Sequence, residues 1–532
     1  MSTTISSNEL FIQKSLQFDI GEHVSLPFTD AKFGILTLNA ISSCLSNEEH
    51  HFIFMIDCSG SMEDPCSDGR TKMQHTIHTL KNMIHYFKEN NSIKVNISID
   101  AFDDKIHNIL ETSPVNNDNY ESIIEKINKI HPKSSTDIGL ALSSVKNTVE
   151  KIKSEFPSHN IINIFMTDGE ATKGNKNYKY LSELVDITVT NTFIGFGIDH
   201  DAALLNAVSR GENSKYHFID KLENAGLVYG EILHEIIYKL LKNVQLSVDN
   251  GLIYNFKNNN WVDTIYIGEI VSEANKIYHI ASTKPDDCSV IVTGEKLALS
   301  EDSYSFSISK KEENTDLTKY VYRQRTLQHL FIVNQFIERK NTDKMKTYDE
   351  LSCESPTSSF GEEERYIKAD LRDFIEEMKK YMEENDLEND KLMKNLCDDI
   401  YICYRTFGTK FETMYACARQ TSQGTQRCYN VSHTPDVIDE VLPTNPCGLS
   451  RQTSQSTQRY YAETLPGPPI LTRQTNHPTN IYWYNDDIQH TLSDFADTPY
   501  LTLGATRLMR DISCGTQSCD IFSQETKIDN NL

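Results

Sequence analysis

Between His51 and about Leu241 the chain alternates strand-like and helix-like patterns. That alternation commits the segment to a mostly parallel sheet covered by helices on both faces. The run His51-Phe52-Ile53-Phe54-Met55-Ile56 is a buried strand, and a helix pattern follows with Met73, Ile77, Leu80, Ile84 and Phe87 on one face. Residues 93–102 alternate as a strand through Val95, Ile97 and Ile99. Helices are expected from Tyr120 and over residues 138–152, the second capped by Thr136 or Asp137. Ile161-Ile162-Asn163-Ile164-Phe165-Met166 is another buried strand, Thr192-Phe193-Ile194-Gly195-Phe196-Gly197 a further one, and Asp201 caps a helix over 202–208.

Two of these strands run out into oxygen-rich loops. Asp57-Cys58-Ser59-Gly60-Ser61 follows the first, placing a carboxylate and two hydroxyls at i, i+2 and i+4. Thr167-Asp168-Gly169 follows the strand over 161–166, and Ser134-Ser135-Thr136-Asp137 opens the helix between them. In open α/β sheets ligands bind beyond the carboxyl ends of the strands. Hard oxygen groups there can grip a small hard cation, but three side chains from one loop cannot fill its shell. Asp-x-Ser-x-Ser alone is common turn chemistry. Together with Thr136 and Asp168 it resembles the complete metal-ion-dependent adhesion site of von Willebrand factor type A domains. The resemblance implies a doubly wound, Rossmann-like α/β fold and a metal held by Asp57, Ser59, Ser61, Thr136 and Asp168. In that family the Ser and Thr hydroxyls can bind the ion directly, with the two Asp acting through water. The expected cation is Mg²⁺, with Mn²⁺ or Ca²⁺ as alternatives. Residues 192–201 further resemble the late strand of type A domains fused to RING-finger or intein-like modules. No cysteine spacing supports a RING finger here and no intein-like module is visible, so ligase activity is not carried over.

At 532 residues the chain is too long for one core. Five regions are expected: strands within 1–48 that pack on a later β unit, the type A domain over 49–242, an antiparallel β unit over 243–311, a charged helical unit over 312–416, and a polar, partly disordered tail over 417–532. The β unit rests on period-two alternation at Val244/Leu246/Val248, Ile265/Ile267, Val290/Val292 and Tyr304/Phe306/Ile308, with a tight turn at Asp249-Asn250-Gly251. In the helical unit Leu371, Phe374, Ile375, Met378, Tyr381 and Met382 form one apolar stripe, and Ser352 to Phe360 reads as a loop. The tail carries a repeat. Arg419-Gln420-Thr421-Ser422-Gln423-Gly424-Thr425-Gln426-Arg427 recurs at Arg451 to Arg459, and decayed copies start at Arg473 and Arg510. An aromatic follows in three copies, as Tyr429, Tyr461 and Trp483. Such copies can dock as linked weak ligands, which makes self-association through the repeats an expectation.

A net charge of −24 excludes general nucleic-acid binding and disfavours anionic membrane surfaces. No apolar run is long enough for a transmembrane helix, and the first nine residues lack a signal-peptide pattern. The twelve cysteines show no Cys-x-x-Cys pair and read as reduced thiols, with Cys58 and Cys66 unbridged. A cytoplasmic location is expected, the alternative being a component of a viral particle. Gly169 to Asn175 lacks the Gly-Lys-Ser/Thr ending of a phosphate loop, which excludes nucleotide hydrolysis. His75, His78 and His85 read as a solvated helix face, and Asp199-His200-Asp201 as a loop and cap. With no nucleophile–base pair and no cofactor loop, enzyme activity is not expected. The function implied is a protein-binding or scaffold role, in which the cation accepts an acidic side chain of a partner. The alternatives are an accessory subunit of an ATPase or ubiquitin-ligase assembly, and a structural protein with a vestigial site.

Overall fold

The structure is a computed structural model. It describes residues 12–427, apart from short segments at 20–25, 29, 41–47, 67–68, 170, 198–199, 212, 220–224, 297–302, 310–315 and 350–356, together with 500 and 502–514. At its centre lies a six-stranded sheet in the order β5-β4-β3-β6-β7-β8. The strands are β3 (His50–Asp57), β4 (Val95–Phe102), β5 (Ile106–Pro114), β6 (Asn160–Thr167), β7 (Thr190–Phe196) and β8 (Ser214–Ile219). All neighbours are parallel except β4 and β5. Every residue of β3 is buried, as a central strand covered on both faces requires. Phe52, Phe54 and Ile56 pack with α1 (Lys72–Glu89) and α6 (Ala225–Ile237). Ile53 and Met55 face the other way, toward α3 (Ile138–Glu155) and α5 (Ala202–Val208). β5 escapes the hydrophobic pattern because it is polar and ends in Pro114, a composition suited to a sheet edge.

The expected β unit is a sandwich of two antiparallel sheets, and it recruits the chain's N-terminal strands. β1 (Ile12–Phe18) pairs with β2 (Lys32–Ala40), and β2 pairs along its length with β13 (Asn275–Ser282). That sheet is completed by β10 (Leu252–Asn255) and β11 (Asn260–Val262). The facing sheet runs β12 (Thr264–Val271), β9 (Lys239–Asp249), β14 (Ser289–Lys296), β15 (Ser303–Ser309). Leu36 and Leu38 meet Val244, Leu246, Val290 and Val292 in the core between them. β9 begins just after α6 ends, so the edge expected between 242 and 243 falls inside one strand.

The helices α7 (Thr318–Asp349), α8 (Thr357–Glu384) and α9 (Lys391–Thr406) bury Phe336, Leu371, Phe374, Met378 and Ile400 against one another. Residues 357–360, expected in a loop, open α8. A larger correction concerns the tail. The boundary expected between 416 and 417 lies within a buried helix, α10 (Glu412–Thr425). Met414, Tyr415, Cys417 and Ala418 join the core of the central sheet, and the first repeat copy is buried through hydrogen bonds rather than apolar area. Arg419 pairs with Asp399, Gln423 donates to Asn395 and Asp399, and Gln426 both accepts from and donates to the Ile277 backbone. A last helix, α11 (Leu503–Cys514), packs on α6 and sends Leu508 and Ile512 into the core of the central sheet. It can approach closely because a Cβ at Gly226 or Gly230 would collide with Ser513 or Met509. The repeat copy at 451–459, the copy from Arg473, and Tyr429, Tyr461 and Trp483 lie outside the described residues.

Candidate metal centre

Three loops meet beyond the carboxyl ends of β3 and β6. Gly60 N donates to the Ser134 carbonyl, Lys133 N to the Cys58 carbonyl, and the amides of Thr172 and Lys173 to the Thr136 carbonyl. These bonds lock the segments carrying Asp57, Thr136 and Asp168 to one another. Asp137 caps α3 by accepting from Leu140 N, so of the two residues offered as caps it is Asp137 that serves, and the Thr136 side chain is left for the site.

Within that frame the expected side chains converge. Ser59 Oγ lies 3.1 Å from Ser61 Oγ, and Ser61 Oγ donates to Asp168 Oδ1 at 2.8 Å. A Cβ built on Gly169 would stand 3.6 Å from Ser61 Oγ and 3.7 Å from Thr136 Oγ1, so both hydroxyl oxygens lie close to one point. Asp57 is fully buried; it accepts from Ser59 N at 2.8 Å and from Thr167 Oγ1 at 2.6 Å. Burial pushes its carboxyl up to about 6, against the downward pull of those hydrogen bonds.

Two participants were not legible in the sequence. Thr167, expected as part of a strand end, fixes one oxygen of Asp57. Lys72, the first residue of α1, donates to Asp168 Oδ2 at 2.7 Å and also reaches Asp64. Burial by itself lowers the Lys72 ammonium, and the two carboxylates outweigh it and raise it. A cation at a helix N-terminus is disfavoured by the helix dipole, which marks the ion pair as what holds it there. The Thr71/Gln74 capping box that starts the helix was the available signal, because it places Lys72 in the first turn beside the loop.

The donor set fits a hard divalent cation. All five groups offer oxygen, three of them as neutral hydroxyls, which is the ligand type that Mg²⁺, Mn²⁺ and Ca²⁺ prefer. The Lys72 ammonium already stands as a positive charge on Asp168.

The expected histidine face is corrected: His75 is buried. α11, from far along the chain, covers that side of α1, where Asn82 donates to the Ile512 carbonyl. Asp201 caps α5 as expected, while His200 hydrogen-bonds to the Gly197 carbonyl and Tyr216. Asp199 lies outside the described residues. Cys58, Cys66, Cys288, Cys397, Cys403 and Cys417 form no disulfide among the described residues. No helix of the described residues is long and apolar enough to cross a membrane.

Residues 52–231 match the von Willebrand factor type A domain family. A von Willebrand factor A domain-containing protein of Dictyostelium discoideum is 26% identical over 206 residues, covering 38% of this chain and 22% of that relative. The matched stretch thus spans about a fifth of the relative's length. Among solved structures, the ArnB paralog VWA2 from Sulfolobus acidocaldarius is similar with a TM-score of 0.46 and 13% identity, covering 77% of this chain and 98% of that one. A von Willebrand factor type A protein from Catenulispora acidiphila has a TM-score of 0.43 and 16% identity, covering 62% and 82%.

Proposed function

We propose that this chain is a protein-binding or scaffold protein without enzymatic activity of its own. It binds a divalent cation, Mg²⁺ in the first instance, at Asp57, Ser59, Ser61, Thr136 and Asp168, and a partner's Asp or Glu carboxylate completes the shell. The observation that carries this reading is the convergence of Ser61, Thr136 and Asp168 on one point beyond β3 and β6. With three neutral hydroxyls and two carboxylates, the site leaves the ion electrophilic toward a further anionic oxygen. That is how a chain of net charge −24 can hold an acidic ligand. Type A domains commonly mediate protein–protein interaction, which agrees with the absence of a nucleophile–base pair in the sequence. Described cysteines without disulfides support an intracellular setting.

Calorimetric titration of the full chain with Mn²⁺ or Mg²⁺ tests the site. One equivalent is expected to bind, and Asp57→Ala with Asp168→Ala is expected to abolish it. A double variant that binds as the parent does would overturn the assignment. Acetate or glutarate added to the loaded protein serves as the carboxylate probe, and failure of either to bind in a metal-dependent way would reject the ligand class.

A further inference from the structure

A second group of donors lies on the same strand ends and has a different chemistry. Cys58 sits between Asp57 and Ser59, Asp103 follows β4, and His107 lies at the start of β5. The Cys58 sulfur, an Asp103 carboxylate oxygen and a His107 ring nitrogen are all within 4.8 Å of one another. The backbone fixes this arrangement. β3 and β4 run side by side with Cys58 N donating to the Phe102 carbonyl at 2.8 Å. The β4–β5 turn is closed by Asp103 N on the Lys105 carbonyl and by Lys105 N on Asp103 Oδ1 at 2.8 Å, which brings His107 back opposite Ala101. Cys58 and Asp103 are buried and His107 is half-buried. His107 Nε2 is itself out of contact with solvent. It stands 3.1 Å from Asp103 Oδ1 without hydrogen-bond geometry, so it is a buried ring nitrogen lacking a hydrogen-bond partner.

We propose that Cys58, Asp103 and His107 form a second metal site, selective for a borderline-soft transition cation such as Zn²⁺. One thiolate, one imidazole and one carboxylate are a ligand set that zinc accepts and that Mg²⁺ does not favour. Tetrahedral zinc with ligand bonds of about 2.0–2.3 Å needs donors roughly 3.3–3.8 Å apart, so side-chain rotations that close the group by about an ångström complete it. Three protein ligands leave a fourth position for water or a donor from outside. On binding, the Cys58 thiol loses its proton to solvent and a sulfur–metal bond forms, with no change of oxidation state. The two sites divide the cations between them: all-oxygen donors at Asp57, Ser59, Ser61, Thr136 and Asp168, and mixed sulfur, nitrogen and oxygen donors at Cys58, Asp103 and His107. Because Cys58 is flanked by two of the oxygen-site residues, zinc there braces the loop that presents them.

Co²⁺ replaces Zn²⁺ in such sites and reports a thiolate ligand by a charge-transfer band in the near ultraviolet. Titrating the full, reduced chain with Co²⁺ is expected to raise that band to saturation at one equivalent, with Zn²⁺ but not Mg²⁺ abolishing it. Cys58→Ser and His107→Ala are each expected to remove the band, with circular dichroism confirming that they fold. Asp168→Asn, in the oxygen site, is expected to keep it. Absence of a band in the parent protein, or a band that persists in folded His107→Ala, would overturn the proposal.

Discussion

At the scale of single residues, Lys72 is the group that most affects how the oxygen site behaves. Its ammonium neutralises Asp168 from 2.7 Å, so an incoming cation must displace it or share the carboxylate with it. Lys72→Met removes that competing charge. The expected outcome is tighter Mg²⁺ and Mn²⁺ binding by about tenfold, or roughly 1.4 kcal/mol, read by calorimetry. Unchanged or weaker affinity would show that Lys72 does not compete with the metal. The Asp-x-Ser-x-Ser run, Thr136 and Asp168 were legible because each sits at an element boundary that apolar periodicity predicts. Lys72 was not, because nothing in sequence spacing says which charged residue of a first helical turn faces a loop ninety-odd positions away.

At the scale of elements, α10 shows how polar sequence can be structural. Its repeat copy sits where the three packed units meet, using Arg419, Gln423, Gln426 and Arg427 as buried connectors. Arg427 pairs with Glu231 of α6 at 2.8 Å, Lys276 of β13 donates to the Thr425 carbonyl, and Arg323 of α7 donates to the Gln423 carbonyl. Gly424 is the position where shape decides, because a Cβ there would run into the Phe256 ring. Glycine is a poor helix former, so its presence in α10 has a packing reason. Gly424→Ser is expected to destabilise the protein by about 1–3 kcal/mol despite better helix propensity, as overpacking generally does. Urea unfolding measures this, and a variant as stable as the parent would mean that Phe256 gives way freely. The second copy carries Ser456 at the matching position, so it is not a ready substitute for the first in this seat. For the same reason, truncation near Tyr415 is expected to cost stability rather than only association.

Across the whole molecule, buried histidines set the response to acid. Burial pushes His50 and His51 down to about 4, with neighbouring cations adding to the effect, and pushes His217 down to about 3 against the pull of Glu235. Their ordinary value is 6.5, so below that pH the unfolded chain binds protons the folded one refuses. Their contribution to stability is therefore complete above about 6.5 and is lost as the pH falls toward 4. Each contributes a slope on the order of 1.4 kcal/mol per pH unit in that window. Asp57 and Asp399, pushed up to about 6 chiefly by burial, act in the opposite sense and offset part of it. His51→Asn is expected to flatten the stability profile between about pH 4 and 6.5 by about one such increment. Thermal or urea unfolding at several pH values reads the slope. An identical slope in parent and variant would remove His51 from the account.

Local signals in the sequence pointed to β3, β4, β6 and β7 of the central sheet, though not to its polar edge β5, and to the five candidate oxygen donors at the strand ends. All of these follow from local periodicity and from residues a few positions from a strand end. The period-two β unit and the helical stripe from Leu371 to Met382 were likewise local signals. The remainder depends on long-range packing. β2, expected to pack on the β unit, takes β13 as its particular partner, α10 and α11 return to seal the type A core, and Lys72 settles on Asp168. Asp103 and His107 are carried to Cys58 by strand register. Each of these depends on contacts between segments distant in the chain, and local periodicity shows that a face is buried without saying against what.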